Sequence, residues 1–156
     1  DLFLIIAPHE PTEDHLSSAE NYFAGIPMSR WSNMSSESEQ LRILLIDSVG
    51  ILAALYHHSQ MAYVGGAFTT GVHNVLEPAV MGATIAFGPK HSNSMESLQM
   101  LEQGLVACVK TADEFHNWLF NLLEDRKRCK ELGKKSRKYV EGQAGASERC
   151  FPLLVS

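Results

Sequence analysis

The residues with the clearest potential for chemistry lie between Tyr63 and Pro89, in the segment YVGGAFTTGVHNVLEPAVMGATIAFGP. Gly65 and Gly66 follow an apolar run, where the lack of side chains permits either a plain sharp turn or the close approach of a ligand. The letters TTGVHN, which contain Gly71 and His73, then lead into a predicted helix. The first N–H groups and the dipole of such a helix attract phosphate. Because the segment is neither a GxGxxG fingerprint nor a Walker A loop, it predicts binding of one phosphate group without identifying the molecule that carries it.

Asn74 and Glu77 are three residues apart and therefore share one face of the predicted helix. In one interpretation Asn74 caps the helix and Glu77 reaches back to it, as in a capping box. In the other, the Glu77 carboxylate accepts two hydrogen bonds from a ribose diol beside the bound phosphate. Pro78 suits the first turn, because its missing N–H costs little there. The residues alone leave the two interpretations open.

Polar residues also follow two other apolar runs, since His9 and Glu10 come after the first run and Asp47 and Ser48 come after RILLI. The Ser48 hydroxyl is placed either to bond a ligand or to cap a short helix that starts at Gly50. Adjacent loop residues such as His9 and Glu10 do not face each other by default. The sequence has no persuasive Ser/His/Asp order or metal-ligand spacing, so we expect no bound metal.

The composition indicates one domain, 1–156, of a soluble protein: 156 residues, 45% hydrophobic, 20% charged, with a net charge of -5 that argues against nucleic acid as a partner. The run DRKRCKELGKKSRKY, residues 125–139, predicts the solvated face of an amphipathic helix or, alternatively, contact with an acidic membrane surface. Cys108, Cys129 and Cys150 are far apart, which supports neither a disulfide framework nor a zinc site and fits a reducing cytosol. No apolar stretch approaches the roughly 20 residues of a membrane span.

Short apolar runs alternate with helical patterns along the chain, which predicts an α/β fold: a Rossmann-like doubly wound parallel sheet of about six strands with helices on both faces. The predicted strands are 2–7, 28–31, 42–47, 61–64, 84–87 and 105–109. The predicted helices are one that begins at Thr12 or Asp14 and ends before Gly25, then 50–56, 74–81, 94–103, 112–124 and 126–141. Ligands of such sheets bind at the carboxyl ends of the strands, where the polar residues above are expected to lie.

Four motifs occur in a fixed order: DSVG before an LxxLY helix, A-Y-VGG, G-x-HNxLEPA, and FGP followed by Asn93. Together they closely resemble the C-terminal half of bacterial 3-deoxy-D-manno-octulosonic acid (Kdo) transferases, which are glycosyltransferases with two Rossmann-like domains (the GT-B class). The resemblance spans nearly the whole chain and extends to GQAGASE, residues 142–148. It implies a domain that binds CMP-Kdo for transfer of Kdo to the lipid A precursor in lipopolysaccharide synthesis.

The resemblance also implies which residues hold the donor. Ser48, Val49 and Gly50 of DSVG would surround the CMP phosphate and sugar, together with the loop from Gly65 and Gly66 to the helix start at Gly71, His73 and Asn74. Glu77 would contact the ribose, and Lys90 and Asn93 would complete the pocket. Many members carry a Pro-Arg-His-Pro motif where this sequence reads APHEP, so His9 is expected to replace the missing arginine. Ser94 stands where an aromatic residue often follows the asparagine.

The family's catalytic base and acceptor site belong to an N-terminal domain, which is absent from this sequence. We therefore expect no catalytic residue here, weak nucleotide binding and no transferase activity of the chain alone. The whole enzyme would invert the anomeric centre by direct displacement, without a metal, at the cytoplasmic face of the bacterial inner membrane, whereas this chain alone would be soluble.

Two rival readings remain. One is half of a GT-B enzyme that uses a UDP- or GDP-sugar, or of a sugar-nucleotide epimerase, although a diphosphate donor favours more cations than Lys90 and the histidines provide. The other is a non-catalytic nucleotide-binding module. Titration with CMP, UDP and GDP tests the first alternative, which predicts a preference for UDP or GDP over CMP. The length of the full gene product tests the second, which predicts a gene that encodes only these residues.

Overall fold

The computed structural model describes residues 2–34 and 40–143, so residues 144–148 of the GQAGASE motif and Cys150 lie outside the described part of the chain. The chain divides into two compact units, residues 1–52 and 53–156. Each unit contains a small parallel sheet, and each is described by itself below.

The first unit is a three-stranded parallel sheet with one long helix. Its elements are β1 (Leu4–Ile6), α1 (Glu13–Tyr22), β2 (Met28–Arg30), a 3-10 turn (Trp31–Asn33) and β3 (Ile43–Leu45). β3 lies in the centre, with β1 and β2 paired on either side of it. All three residues of β3 are buried, as expected of an apolar strand with a neighbour on each side. The predicted cap of α1 is confirmed at Thr12, whose side chain accepts a hydrogen bond from the His15 N–H.

The second unit carries the remaining elements. They are α2 (Leu52–Leu55), a 3-10 turn (Tyr56–His58), β4 (Met61–Val64), α3 (Leu76–Val80), β5 (Thr84–Phe87), α4 (Met95–Glu102), β6 (Val106–Cys108), α5 (Ala112–Glu124) and α6 (Arg126–Gln143), of which α2 starts at the last residue of the first unit. β5 is the central strand of a parallel sheet, with β4 and β6 as its neighbours. The loops after β4 and β5 therefore leave the same edge of this sheet, which is where ligands bind in such folds.

The α/β class, the parallel strands and the helices on both faces are confirmed. The expected single sheet of about six strands is corrected, because the six described strands form two sheets of three. An apolar run predicts that a strand exists, but its pairing partner depends on contacts between residues distant in sequence, which the run does not encode. In both sheets the central strand is the most buried, with all three residues of β3 and all four residues of β5 shielded from solvent.

The core of the second unit lies around β5, where the side chains of Ile85 and Phe87 are fully buried. Burying an apolar side chain of this size contributes about 1.5–3 kcal/mol. Two polar side chains in this core are satisfied by backbone carbonyls, since the Thr84 hydroxyl donates to the Cys129 carbonyl at 2.7 Å and the Ser136 hydroxyl donates to the Leu105 carbonyl at 3.1 Å. Both bonds connect α6 to the sheet.

Helix α6 also packs closely against the end of α3. A Cβ atom built on Gly133 would lie 1.9 Å from the Gly82 carbonyl oxygen, so the two backbones meet without a side chain between them. Helix α3 has only five residues and is too short to be stable alone. Its packing against α6 and β5 therefore holds it in place. None of the described helices combines the length and the apolar character that crossing a bilayer requires.

Candidate functional site

The loops that follow β4 and β5 are joined at Val72. The Val72 N–H donates to the Lys90 carbonyl at 3.0 Å and to Asn93 Oδ1 at 3.1 Å, and Asn93 Nδ2 donates to the Val72 carbonyl at 3.0 Å. A further bond runs from the Lys90 N–H to the Ala67 carbonyl at 2.8 Å. The loop residues predicted for the site thus form one hydrogen-bonded group at the carboxyl edge of the sheet.

Gly66 and Gly71 have a structural reason to be glycine. Both have positive φ angles, 84° and 126°, which side chains rarely permit. A Cβ atom on Gly66 would lie 2.6 Å from the ring of His73, and one on Gly71 would lie 2.7 Å from the Asn93 carboxamide. Gly65 differs, because its φ is not positive and its carbonyl accepts the His73 N–H at 3.2 Å. The two positive-φ glycines therefore let His73 and Asn93 pack against the turn.

Asn74 and Glu77 contact each other on the surface of the second unit. Asn74 Nδ2 donates to Glu77 Oε1 at 2.8 Å, and Asn74 Oδ1 accepts the Leu76 N–H at 2.9 Å. Asn74 thus lies before the helix and binds its first turn as in an Asx turn, and Glu77 bonds the Asn74 side chain where a capping box would use the backbone N–H. Both side chains are exposed. The Asn74 amide orients the Glu77 carboxylate and leaves it open to solvent.

The backbone donors near the start of α3 are partly used within the protein. The Leu76 N–H is bound to Asn74, the His73 N–H to Gly65, and the Val72 N–H to the loop after β5. A helix of five residues also contributes little dipole compared with a long one. Side-chain cations are thus more important than backbone N–H groups for binding an anion here. Lys90 is such a cation: it is exposed, and its Nζ donates to the Thr69 carbonyl at 3.2 Å.

Two residues near this site were not singled out from the sequence. Burial raises the pKa of Tyr56, and the negative charge of Glu77 raises it further, which places Tyr56 within electrostatic reach of that carboxylate. His91 Nδ1 lies 3.2 Å from the Gly88 carbonyl, and Cys108 Sγ lies 3.9 Å from the same nitrogen. Burial raises the pKa of the Cys108 thiol, which disfavours its reactive thiolate form beside the loop after β5. The LxxLY letters contain Tyr56, but only tertiary contacts connect either residue with the site.

The other predicted residues belong to the first unit. The Ser48 hydroxyl oxygen is shielded from solvent and makes no hydrogen bond with any described residue, so it does not cap a helix. Val49 is 78% exposed, and Gly50 has a positive φ of 88°. His9 is exposed in the loop after β1. The structure thus places His9, Ser48, Val49 and Gly50 in the loops after β1 and β3, the carboxyl edge of the first sheet.

Asp47, the acidic residue next to Ser48, forms hydrogen bonds within the first unit. The Asp47 carboxylate accepts hydrogen bonds from the hydroxyl and the N–H of Ser32, the latter at 3.1 Å. These bonds lower the pKa of Asp47, the hydroxyl contributing most. Across residues 2–34 and 40–143, no three His, Cys, Asp or Glu side chains gather into a group that could hold a metal ion.

Comparison with known proteins gives one consistent result. No protein-family model matches the chain. Curated 3-deoxy-D-manno-octulosonic acid transferases do match it, among them those of Chlamydia muridarum (30% identical over 150 residues, 94% of this chain and 34% of the relative) and Haemophilus influenzae (27% over 157 residues, 99% and 37%). The transferase of Aquifex aeolicus is 30% identical over 138 residues, covering 87% of this chain and 37% of the relative. The chain therefore spans about a third of the length of these relatives.

A solved structure has the same fold. The crystal structure of the C-terminal CMP-Kdo binding domain of WaaA from Acinetobacter baumannii matches with a TM-score of 0.76, over 88% of this chain and 72% of that one, at 24% identity. The resemblance observed in the sequence motifs is thus confirmed: over nearly its whole length, the chain is similar in sequence to 3-deoxy-D-manno-octulosonic acid transferases.

Proposed function

We propose that this chain is the donor-binding region of a glycosyltransferase that moves Kdo from CMP-Kdo to the lipid A precursor in lipopolysaccharide synthesis. The homology to Kdo transferases supports the enzyme class, and the shared fold with the CMP-Kdo binding domain of WaaA supports the donor. The relatives are about three times as long as the chain, so the proposal concerns the part that this chain plays in a longer enzyme.

The single observation that carries the proposal is the oriented Glu77 carboxylate. Asn74 occupies one of its oxygens, and an ionised carboxylate has about four lone-pair positions, so the remaining positions can accept both hydroxyls of a ribose. We assign Glu77 to the ribose of CMP and Asn74 to its orientation. The buried face of α3 keeps the pair in place, since Pro78 and Ala79 are buried against the core.

We assign the phosphate to the loops around Val72. Lys90 and His73 are exposed there and can meet the phosphate, while Asn93 and the glycines at 65, 66 and 71 shape the loops that hold them. In the first unit by itself, His9, Ser48, Val49 and Gly50 stay predicted donor contacts, since the Ser48 hydroxyl makes no hydrogen bond with a described residue and Val49 and Gly50 are exposed.

The chemistry in this proposal is direct displacement with inversion. Lys90 would stabilise the CMP phosphate as it leaves, which is where negative charge develops. A base from the remaining part of the enzyme, the N-terminal domain in our proposal, would deprotonate the acceptor hydroxyl. We propose no metal and no other cofactor, with a site of action at the cytoplasmic face of the inner membrane.

Calorimetric titration of the chain with CMP, UDP and GDP tests the donor. We expect weak binding with CMP preferred, and Glu77→Gln should weaken it about tenfold because a charge-assisted hydrogen bond contributes about 1.5–3 kcal/mol. The matched control is Glu102→Gln, an exposed carboxylate at the end of α4, which should leave CMP affinity unchanged. Preference for UDP, or equal effects of the two substitutions, would overturn the assignment. Transfer of Kdo to lipid A precursor by the chain alone would contradict the expectation that the catalytic base lies in another part of the enzyme.

A further inference from the structure

Helix α6 concentrates the positive charge of the chain. Its 18 residues hold eight of the 13 lysine and arginine residues and only two carboxylates, which gives the helix a net charge of +6. Because the whole chain has a net charge of -5, the residues outside α6 carry -11. All eight basic residues of α6 are exposed. The helix is therefore a strongly basic surface on an otherwise acidic protein.

Four of the eight cations form a row along the helix. Arg126, Lys130, Lys134 and Arg137 follow one another at intervals of four, four and three residues, so they form a continuous row, here named the basic stripe. The row and its neighbours Lys127 and Lys138 extend over about 18 Å at a rise of about 1.5 Å per residue. Among the described residues, Arg137 is the only member of the stripe with a carboxylate partner, Glu141 at 2.8 Å. The remaining charges of the stripe are available to a partner.

The side of α6 adjacent to the basic stripe is fixed to the second unit. Cys129, Gly133 and Ser136 are its buried residues, at intervals of four and three. Gly133 meets Gly82 backbone to backbone, and Ser136 bonds the Leu105 carbonyl. This anchoring fixes the rotation of the helix about its axis, so the exposed basic stripe stays at the surface.

We infer that the basic stripe of α6 binds the headgroups of an anionic lipid bilayer. A straight row of cations on a rigid helix fits a flat anionic surface, and each Lys or Arg near such a surface adds to the attraction. Single-stranded nucleic acid fits less well, because its binding sites combine cations with exposed aromatic side chains, and Tyr139 of α6 is half-buried and donates to Gln99 at 2.6 Å. The choice of a lipid surface over another polyanion rests on the proposed function, whose acceptor is a lipid.

The charge of the remaining residues supports one orientation on the bilayer. The residues outside α6 carry a net charge of -11, so on average they are repelled from anionic headgroups. Screening limits the interaction to about 8 Å at physiological salt, so the helix has to approach the headgroups closely. Binding is therefore expected to be salt-sensitive and to involve the stripe first.

Sedimentation with lipid vesicles tests the inference on the full chain. We expect binding to vesicles of phosphatidylcholine that contain about one third phosphatidylglycerol at about 0.05 M salt, and loss of binding at about 0.5 M salt. Removal of one cation should weaken binding roughly fivefold, so K130Q/K134Q should weaken it about 25-fold. The matched control R128Q/K135Q removes the same charge from outside the stripe and should weaken binding by less than about threefold.

Several results would overturn the inference: equal binding to pure phosphatidylcholine, equal losses in the two double variants, or tighter binding to duplex DNA than to the anionic vesicles at the same salt. Circular dichroism confirms that both variants retain their helices, for which glutamine is a good helix former. Titration with CMP separates the two proposals, because K130Q/K134Q should bind CMP like the unchanged chain. If K130Q/K134Q loses vesicle binding and R128Q/K135Q does not, but the chain does not bind CMP, the donor assignment is contradicted and the lipid-binding role of the stripe is supported.

Discussion

The Asn93 carboxamide forms two hydrogen bonds with the backbone of a single residue, Val72, accepting its N–H at 3.1 Å and donating to its carbonyl at 3.0 Å. A residue in a β-sheet forms the same two kinds of hydrogen bond with a neighbouring strand, one through its N–H and one through its carbonyl. Asn93 thereby connects the loop after β5 with the loop after β4, although the two residues are 21 positions apart. Val72 directly precedes the exposed residues His73 and Asn74.

Replacement of Asn93 by alanine should destabilise the second unit. Val72 is buried, and its carbonyl would lose the Asn93 donor, which costs about 1–3 kcal/mol for a buried polar group without a partner. Urea denaturation followed by circular dichroism measures the change in the free energy of unfolding. Asn93→Asp keeps the acceptor oxygen and removes the donor, so it should be destabilising as well. Unchanged stability in both variants would show that the carboxamide does not join the loops.

Gly71→Ala should be more destabilising than a glycine substitution that changes only the backbone preference. Gly71 combines a φ of 126° with a Cβ position 2.7 Å from Asn93, so both strain and overlap oppose the substitution. Gly104→Ala is the control, because Gly104 has a φ of 65° and no neighbouring atom within 4 Å. We expect a loss of about 1 kcal/mol at Gly104 and about 1–3 kcal/mol more at Gly71. Similar losses at the two positions would argue against close packing of Asn93 on Gly71.

Gly133→Ala reverses the usual effect of alanine in a helix. Alanine normally stabilises a helix relative to glycine by up to about 1 kcal/mol, and we expect this gain at Gly142, where no atom lies within 4 Å of the new Cβ. At Gly133 the Cβ would overlap the Gly82 carbonyl oxygen, so we expect a loss of about 2 kcal/mol or more. Thermal unfolding of the two variants should therefore shift in opposite directions. A gain at Gly133 would mean that α6 and α3 lie farther apart.

The ion-pair network of the first unit predicts a dependence of stability on pH. Arg30 bonds Glu13 at 2.6 Å and Glu20 at 2.8 Å, and these bonds lower the pKa of both carboxyls below their ordinary 4.5. A lowered pKa in the folded state stabilises the protein above the unfolded-state pKa, and the contribution disappears as the pH falls through the folded-state pKa. E13Q/E20Q should therefore lower the melting temperature at pH 7, with no difference remaining once the pH is well below the carboxyl range.

The control for this experiment is Glu10→Gln, which removes an exposed carboxylate from the loop before α1. The His15 ring bonds the backbone carbonyl of Glu10, so this substitution preserves that contact. Its effect on the melting temperature should be smaller than that of E13Q/E20Q at pH 7. A difference between the double variant and the unchanged chain that persists in acid would show that the two glutamates act through packing.

Local patterns predicted the elements most accurately where one property decides the structure. The strands 61–64 and 84–87 and the helix 112–124 have the predicted bounds, because apolar runs and a helical period are set by nearby residues. The helix predicted from Asn74 begins at Leu76, since the Asn74 side chain takes the Leu76 N–H and so competes with helix formation. The pairing of strands into two sheets was not predictable from these patterns, because each pair joins distant residues.

In the candidate site, too, the residues that belong to local motifs were predicted and those that depend on tertiary contacts were not. The sequence motifs selected Asn74, Glu77 and Asn93, which the structure places in a hydrogen-bonded setting at the sheet edge. Tyr56 and His91 were missed, because their relation to the site exists only after the chain has folded. The roles of the selected residues in donor binding stay predictions that the titrations above test.

The contact between Gly82 and Gly133 has a mechanical consequence. Two backbones that touch directly have no side-chain rotamers between them that could absorb a displacement, so α3 and α6 behave as one solid body. The Glu77 carboxylate on α3 and the cations on α6 then keep a constant separation. If the bilayer binds the cations of α6, the nucleotide bound at Glu77 is held at a fixed distance from the bilayer surface. The lipid acceptor then has to extend only that distance to reach the donor.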